Sequence, residues 1–373
     1  MNNKRLLTFC MALACVWTMD AQHFETAADA VTHMGVGWNL GNTLDANNGK
    51  ACPDVVKSET MWGQPVTRPE LMKMMAEAGF GAIRVPVTWY PHMDEAGRVD
   101  EAWMARVREV VDYVLDNGMY CIINVHHDTG AGPMWLHASM RTYEAVRDKY
   151  EYLWQQIAEA FKDYGERLLF EGYNEMLDEY NSWCFASFAS PEKYDAEVAA
   201  DAYAAINRFA QSFVDAVRST GGNNVQRNLI VSTYGACNGG GRWNAHLQDP
   251  VMAMQLPNDS VAGSGHLAFE VHAYPSLESG KRETDDFLHL LATHLQPHAP
   301  VIIGEWGTSN VDKAEPDYVK APAEYLDFVR YFVEKAKAQH IATFYWMGLS
   351  DRHYRAQPAF NQPEIVKAIV QAL

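Results

Sequence analysis

Eight short runs of apolar residues recur along the chain, at 34–40, 82–89, 120–126, 168–173, 229–234, 267–273, 301–305 and 342–347. They are mostly continuous rather than alternating, the pattern of strands buried on both faces. Segments with apolar residues at helical spacing fall between the runs and after the last. The first of these carries the clearest punctuation. Thr67-Arg68-Pro69-Glu70 reads as a capping box, Leu71, Met74, Met75 and Ala78 recur at helical spacing, and Gly79 is placed to stop the helix. Gly118 and Gly165 are read as closing the next two helices in the same way, and an eighth helix is expected over 364–373. Eight strand–helix units predict an α/β fold, a (β/α)₈ TIM barrel in a single domain. An open, doubly wound sheet is the poorer reading, because no Gly-rich phosphate turn follows the first run.

Length and composition refine this picture in three respects. The 373 residues suit one barrel with long loops, and no Pro/Gly/Ser-rich linker, low-complexity tract or short repeat marks off a second module. Residues 1–21 are expected to be a signal peptide: Lys4 and Arg5 make a basic start, 6–19 is mostly apolar, and Ala21 offers a small residue before a cut. That leaves a domain over 22–373 and predicts a secreted protein. The run is too short to span a bilayer comfortably, and Ala12-Leu13-Ala14 matches a lipid-attachment site at Cys15 poorly. The formal net charge is −17, and because residues 1–21 carry Lys4, Arg5 and Asp20, a net +1, the remaining chain stands at −18. Such a chain repels nucleic acid and anionic membranes but not a neutral polymer. A monomer is expected. Cys52, Cys121, Cys184 and Cys237 allow three disulfide pairings between which the sequence does not choose, and Cys121, inside an apolar run, reads as core. No C-x-x-C spacing supports a zinc site.

In a parallel barrel the reactive face lies at the C-terminal ends of the strands. Polar or aromatic residues stand at seven of these ends, among them Asn42, Arg84, His126, His127, Asn174, Glu175, His272, Tyr274, Glu305 and Trp346. Any one of them could be an ordinary loop residue; seven ends converging on one rim predict a site. A metal hydrolase could use His126, His127, Asp128 and His272, but neighbours at a strand end point to opposite sides, so His126 and His127 are not expected to share an ion. No metal and no cofactor are therefore expected. Cleavage of a glycosidic bond needs fewer parts: one carboxylic acid, one carboxylate, and rings on which sugars stack. Glu175 and Glu305, at the ends of the fourth and seventh strands, supply the pair. Trp38, Trp89, Trp135, Trp183, Trp306 and Trp346 supply rings, about half of which should be core.

The motifs that carry these residues are Gly37-Trp38-Asn39-Leu40-Gly41-Asn42-Thr43-Leu44-Asp45, Ile83-Arg84-Val85-Pro86-Val87-Thr88-Trp89, Asn124-Val125-His126-His127, Phe170-Glu171-Gly172-Tyr173-Asn174-Glu175, Val271-His272-Ala273-Tyr274 and Ile303-Gly304-Glu305-Trp306-Gly307. In this order the chain resembles glycoside hydrolase family 5, most closely its subfamily 4, from about Gly35 to Trp346. The resemblance implies a retaining endo-β-1,4-glucanase of the cellulase type, with xyloglucan, mixed-linkage glucan, xylan and mannan as variant substrates of the same machinery. It implies Glu175 as acid/base and Glu305 as nucleophile, held ionised by Arg84 and Tyr274, with Glu175 in a drier setting of less positive charge. It further implies Asn174 on the sugar 2-hydroxyl, His126 and His272 lining the central subsite, Trp346 as its stacking platform, and Asn42 and His127 as further contacts. Trp306 and Tyr173 depart from the usual family pattern next to the two glutamates. The loop 237–243 is a candidate for tuning substrate preference.

Overall fold

The computed structural model of the chain describes residues 23–129, 134–180, 193–242, 244–263, 265–308 and 321–373. The expected signal peptide, Cys15, Trp183, Cys184 and Trp243 lie outside the described residues.

Eight parallel strands close into a barrel in sequence order: β1 (Val36–Asn39), β2 (Ala82–Val85), β3 (Tyr120–Asn124), β4 (Leu168–Glu171), β5 (Leu229–Ser232), β6 (Leu267–Ala273), β7 (Val301–Trp306) and β8 (Ala342–Tyr345). Every strand residue is buried, as the unbroken apolar runs require. The ring closes where Gly37 and Trp38 pair with Phe344 and Tyr345. Helices cover the outside, the longest being Met140–Ala160 and Ala196–Ser219.

Side chains alternate along a strand, so every second residue enters the barrel. The lowest inward layer is apolar and includes Ala82, Ile122, Leu169, Ile230, Ala268, Ile302 and Phe344, which pack with Ala27, Ala30, Val31 and Met34 of a helix spanning Ala27–Met34. That helix stoppers the N-terminal end. It was not apparent as a separate element in the sequence, because its apolar residues run into the first strand. Two residues further along each strand, the inward positions become Arg84, Asn124, Glu171, Ser232, Glu270 and Gly304. The barrel thus changes from dry floor to charged interior within one residue pair.

Three local readings are corrected. The helix starts at Pro69 and ends at Ala78 as expected, with Gly79 left-handed at φ 106°, but Arg68 is the cap residue and no capping box forms. The Thr67 backbone N–H instead donates to buried Glu59, 2.7 Å away, leaving its hydroxyl unpartnered. Gly165 does not stop its helix, which has already ended at Ala160 with Phe161 as cap, whereas Gly118 (φ 74°) does follow a helix end. Cys52, Cys121 and Cys237 are free thiols, so none of the pairings among these three forms, and Cys121 is core as expected. The last helix spans Pro363–Gln371.

The floor should be sensitive to volume. Met34→Ala is expected to lower the unfolding free energy by about 2–5 kcal/mol, the usual range for emptying a well-packed apolar site. Urea denaturation of the two proteins checks this.

Candidate active site

Arg84 projects from β2 into the barrel and organises the site. Its Nε and Nη2 donate to the two oxygens of Glu171 at 2.6 and 2.8 Å, a bidentate pair. Nη1 donates to Asn39 Oδ1 at 2.9 Å and to Glu305 Oε1 at 2.8 Å, and Nη2 also donates to Asn174 Oδ1 at 2.7 Å. Glu270 Oε1 stands 3.4 Å from Nε. Burial alone would ease the guanidinium's proton off, but the charges of Glu171, Glu270 and Glu305 outweigh it and hold the group firmly protonated. Burial pushes Glu171 up from the ordinary carboxylate range, against the pull of Arg84. Glu270 is held below that range: burial would raise it, but Arg84 and His272 prevail. Glu171 and Glu270 did not stand out in the sequence as site residues. The signal was there, since each is a charge at an inward position of an otherwise apolar strand.

Glu305 lies near the end of β7 with both oxygens engaged: Oε1 by Arg84 and Oε2 by the Tyr274 hydroxyl, which donates at 2.6 Å. The residue before it must be glycine, because a Cβ on Gly304 would lie 1.6 Å from Glu270 Oε1. Glu175, just beyond β4, is half-buried and contacts His272 Nδ1 through Oε1 at 2.7 Å. One oxygen each of Glu175 and Glu305 and one nitrogen of His272 lie within 4.8 Å of one another. The His272 Nε2 edge faces Glu270 Oε1 at 3.4 Å, so both ring nitrogens meet carboxylates. Burial disfavours the imidazolium, but the charge of Glu305 and the hydrogen bonds with Glu175 and Glu270 overcome it and raise the ring's pKa to about 10. The expectation that Glu175 stands in a dry setting of little positive charge is therefore not met.

His126 is buried and neutral. Burial, with the nearby positive groups, depresses its pKa well below the usual histidine value. Asn124 accepts from the Val87 N–H through Oδ1 and donates through Nδ2 to Glu171 at 2.8 Å and to His126 Nδ1 at 3.0 Å. With Nδ1 accepting, the proton of His126 sits on Nε2, which points into the site 3.9 Å from Glu305 Oε1. The His126 and Trp346 rings are parallel, with centroids 5.9 Å apart, and Trp346 is half-buried. Gly41 packs beneath Trp346, where a Cβ would come within 2.9 Å of the indole, and Asn42 follows at φ 62° on the rim.

His127 is one ring further out. The expectation that it points away from His126 is wrong: the two ring centroids are 4.4 Å apart, and ligand atoms of Asp45, His126 and His127 fall within 4.8 Å of one another. β3 ends at Asn124, so strand alternation no longer governs these residues. Asp45, fully buried, anchors its loop by accepting the Thr43 N–H at 2.8 Å. Of the tryptophans, Trp38, Trp89 and Trp306 are core, the last stacked on Phe332. Trp135 donates to Asp128. Tyr173, the other departure from the family pattern, is buried and donates to Ser232 O at 2.9 Å. On the side of Glu175 a cavity of about 470 Å³ opens, lined in part by Cys237, Asn238, Gly240 and Gly241 of the loop singled out for substrate preference.

Two carboxylates facing each other over the C-terminal mouth of a closed (β/α)₈ barrel, one of them fixed by an arginine and a tyrosine, define a glycoside hydrolase site. The comparisons agree. The family described as Cellulase (glycosyl hydrolase family 5) matches residues 44–350, and the chain belongs to glycosyl hydrolase family 5. Endoglucanase A of Ruminococcus albus is 32% identical over 322 residues, covering 81% of this chain and 80% of its own. A GH5-4 broad specificity endoglucanase from an uncultured bacterium superposes with a TM-score of 0.88 at 58% identity, over 94% of this chain and 96% of that one. A glycoside hydrolase family 5 enzyme from Prevotella bryantii B14, a mutant in complex with the xyloglucan tetradecasaccharide XXXGXXXG, gives 0.82 at 41% identity, over 94% and 99%. No described helix is long and apolar enough to cross a membrane.

The raised pKa of His272 has a sign for stability. The folded state holds this proton more tightly than the unfolded chain does. Its contribution is therefore complete below the ordinary histidine value of about 6.5 and is lost as pH rises towards about 10. The unfolding free energy of the wild type should fall across that window more steeply than that of His272→Asn, by up to about 1.4 kcal/mol per pH unit. Chemical denaturation at pH 6 to 10, in steps of about one unit, checks this linkage.

Proposed function

We propose that this glycoside hydrolase is a secreted endo-β-1,4-glucanase that works by double displacement with retention of anomeric configuration. The observation that carries the reading is the approach of Glu175 and Glu305 to within 4.8 Å, with both oxygens of Glu305 engaged by Arg84 and Tyr274. Carboxyl groups this close leave no room for a water between one of them and the sugar, which favours direct attack. Glu305 is the nucleophile: it forms the bond to the anomeric carbon while Glu175 donates a proton to the departing glycosidic oxygen. Water, deprotonated by Glu175, then releases the sugar from Glu305. The Nε2–H of neutral His126 and the Asn174 amide offer hydrogen bonds to the central sugar, and Trp346 offers it a flat apolar face. His272 positions Glu175 through its 2.7 Å contact.

The names of the relatives support a glucan backbone as substrate. Branched glucan belongs in the substrate range too, because the Prevotella bryantii enzyme was captured with a xyloglucan oligosaccharide and the cavity beside Glu175 leaves space along the cleft. Export is supported by the basic and apolar pattern of residues 1–21.

A 2-fluoro glycoside with a good leaving group should leave a glycosyl adduct on Glu305, located by peptide mass mapping, because fluorine slows hydrolysis of the intermediate. Glu175→Ala should lose ~10²-fold or more on polymer while still turning over an activated aryl glycoside, which needs little proton donation. Glu305→Ala should fail on both. An adduct on Glu175, or inverted product in the first minutes by proton NMR, overturns the assignment. Parallel assays on carboxymethyl cellulose, xyloglucan, mixed-linkage glucan, xylan and mannan read the substrate range; activity confined to xylan or mannan overturns the glucanase reading.

A further inference from the structure

The sequence contains three Asn-Gly pairs, Asn48-Gly49, Asn117-Gly118 and Asn238-Gly239, and all three fall within the described residues. Such a pair carries its own chemistry. The backbone nitrogen after an asparagine can attack the side-chain carbonyl carbon, and glycine, having no Cβ, leaves that approach open and lets the chain turn to make it. Three local conditions decide whether the attack occurs. The glycine nitrogen must be able to give up its proton to solvent, the side chain must be free to fold back, and the amide nitrogen that departs must not be held.

Two of the pairs are locked. Asn117-Gly118 follows the helix Glu101–Leu115, and its last turn holds both nitrogens: Asn117 Nδ2 donates to the Tyr113 carbonyl at 2.8 Å, and the Gly118 N–H donates to the Leu115 carbonyl at 2.9 Å. Asn238 is held at both ends of its amide, with Nδ2 donating to the His272 carbonyl at 2.6 Å and Oδ1 accepting the Gly240 N–H at 2.7 Å. Gly239 itself is buried, and a Cβ there would come within 3.0 Å of Leu290, so packing shields its nitrogen from the base the reaction needs.

Asn48-Gly49, in the loop after β1, is open on every count. Both residues are exposed, and a Cβ on Gly49 would meet nothing within 4 Å. The Gly49 N–H donates to Asn47 Oδ1 at 3.2 Å, a long bond on exposed backbone that opens readily to water. Asn48 Nδ2 has no hydrogen-bond partner among the described residues. Asn48 Oδ1 accepts the Lys50 N–H at 3.2 Å, which folds the side chain back over the Gly49 peptide and puts a donor on the oxygen where negative charge grows during attack.

We propose that Asn48 is a site of spontaneous deamidation, selected by the fold from the three Asn-Gly pairs. Hydroxide takes the Gly49 amide proton, the Gly49 N–Asn48 Cγ bond forms, the Cγ–Nδ2 bond breaks, and Nδ2 leaves as ammonia after taking a proton from water. Water then opens the cyclic imide at one of its two carbonyls, giving aspartate or, when the original main-chain bond is the one cut, isoaspartate. Nothing is oxidised or reduced. Either product adds a carboxylate, and isoaspartate also lengthens the main chain through Cβ. The stretch borders the mouth of the barrel, since the Asn47 carbonyl accepts from Trp62 Nε1 at 2.9 Å and the Trp62 ring lies 5.3 Å from that of His127. New charge therefore accumulates beside the cleft as the protein ages.

The test is the rate of conversion at each pair, followed by digestion and tandem mass spectrometry of native protein held at neutral and at mildly alkaline pH. Conversion shows as a gain of about one dalton on the asparagine, with the aspartyl and isoaspartyl peptides separating on chromatography. The native rate at Asn48 should exceed those at Asn117 and Asn238 by at least about tenfold, because the locked pairs react only after local opening, and it should rise with pH. In denaturing urea that protection is gone, and the three rates should come within about threefold of one another. Asn48→Gln, whose longer side chain closes the ring poorly, should remove the fast conversion. Native conversion at Asn117 or Asn238 as fast as at Asn48 would overturn the proposal, as would an Asn48 that stays intact while the unfolded chain converts. Rates in urea that differ as the native rates do would trace the selectivity to sequence neighbours and overturn the role of the fold.

Discussion

The burial of one arginine inside the barrel sets the terms for everything above it. Arg84 has no exposed surface, and around it stand Glu171, Glu270 and Glu305, two of them equally buried. A lone charge in so dry a place would lose more hydration than ordinary packing returns, and the guanidinium and the carboxylates around it offset that loss for one another. Together they form a set in which each charge justifies the others. The guanidinium reaches side chains based on β1, β4 and β7 and the turn after β4, and so fixes the relative positions of the strand ends from which Asn174 and Glu305 project. Geometry at the mouth is inherited from this interior contact.

Much of the barrel could be read from the chain, because strands buried on both faces leave a pattern few other structures leave. Strand order and number followed directly, and so did the convergence of Glu175, Glu305, His126, His272, Tyr274 and Asn174. What escaped was of two kinds. Glu171 and Glu270 sit at inward positions of β4 and β6, where a charge is visible in sequence but its partner is across the barrel, some 90 residues away in the case of Arg84 and Glu171. Local geometry at element ends escaped as well. The missing capping box at Thr67 reflects a competing long-range acceptor, Glu59, and the convergence of His126 with His127 reflects a strand that ends two residues sooner than its apolar run suggests.

The division of labour along the barrel axis is sharp. At one end, alanines, isoleucines and leucines of the strands pack over the apolar side of a helix; at the other, an ordered set of hydrogen bonds holds carboxylates and imidazoles in place. The lower layer resists deformation by packing alone, and the upper layer borrows that stiffness. Gly304 marks the seam, since the space its missing side chain leaves is where Glu270 lies.

The helix at Ala27–Met34 that stoppers the barrel also bears on how the chain reaches its final form. It docks through the Ala27 N–H to the Gly265 carbonyl at 2.7 Å, and the strand that follows it pairs with residues near 344. The seat of this early segment is therefore built from residues far along the chain, near 265 and 344, so that sealing the floor and closing the ring both depend on contacts distant in sequence. Loop closure over such separations is slow compared with the formation of neighbouring βα units. Until those contacts form, the apolar undersides of the strands stay open to water, and a partly assembled ring is prone to stick to its neighbours.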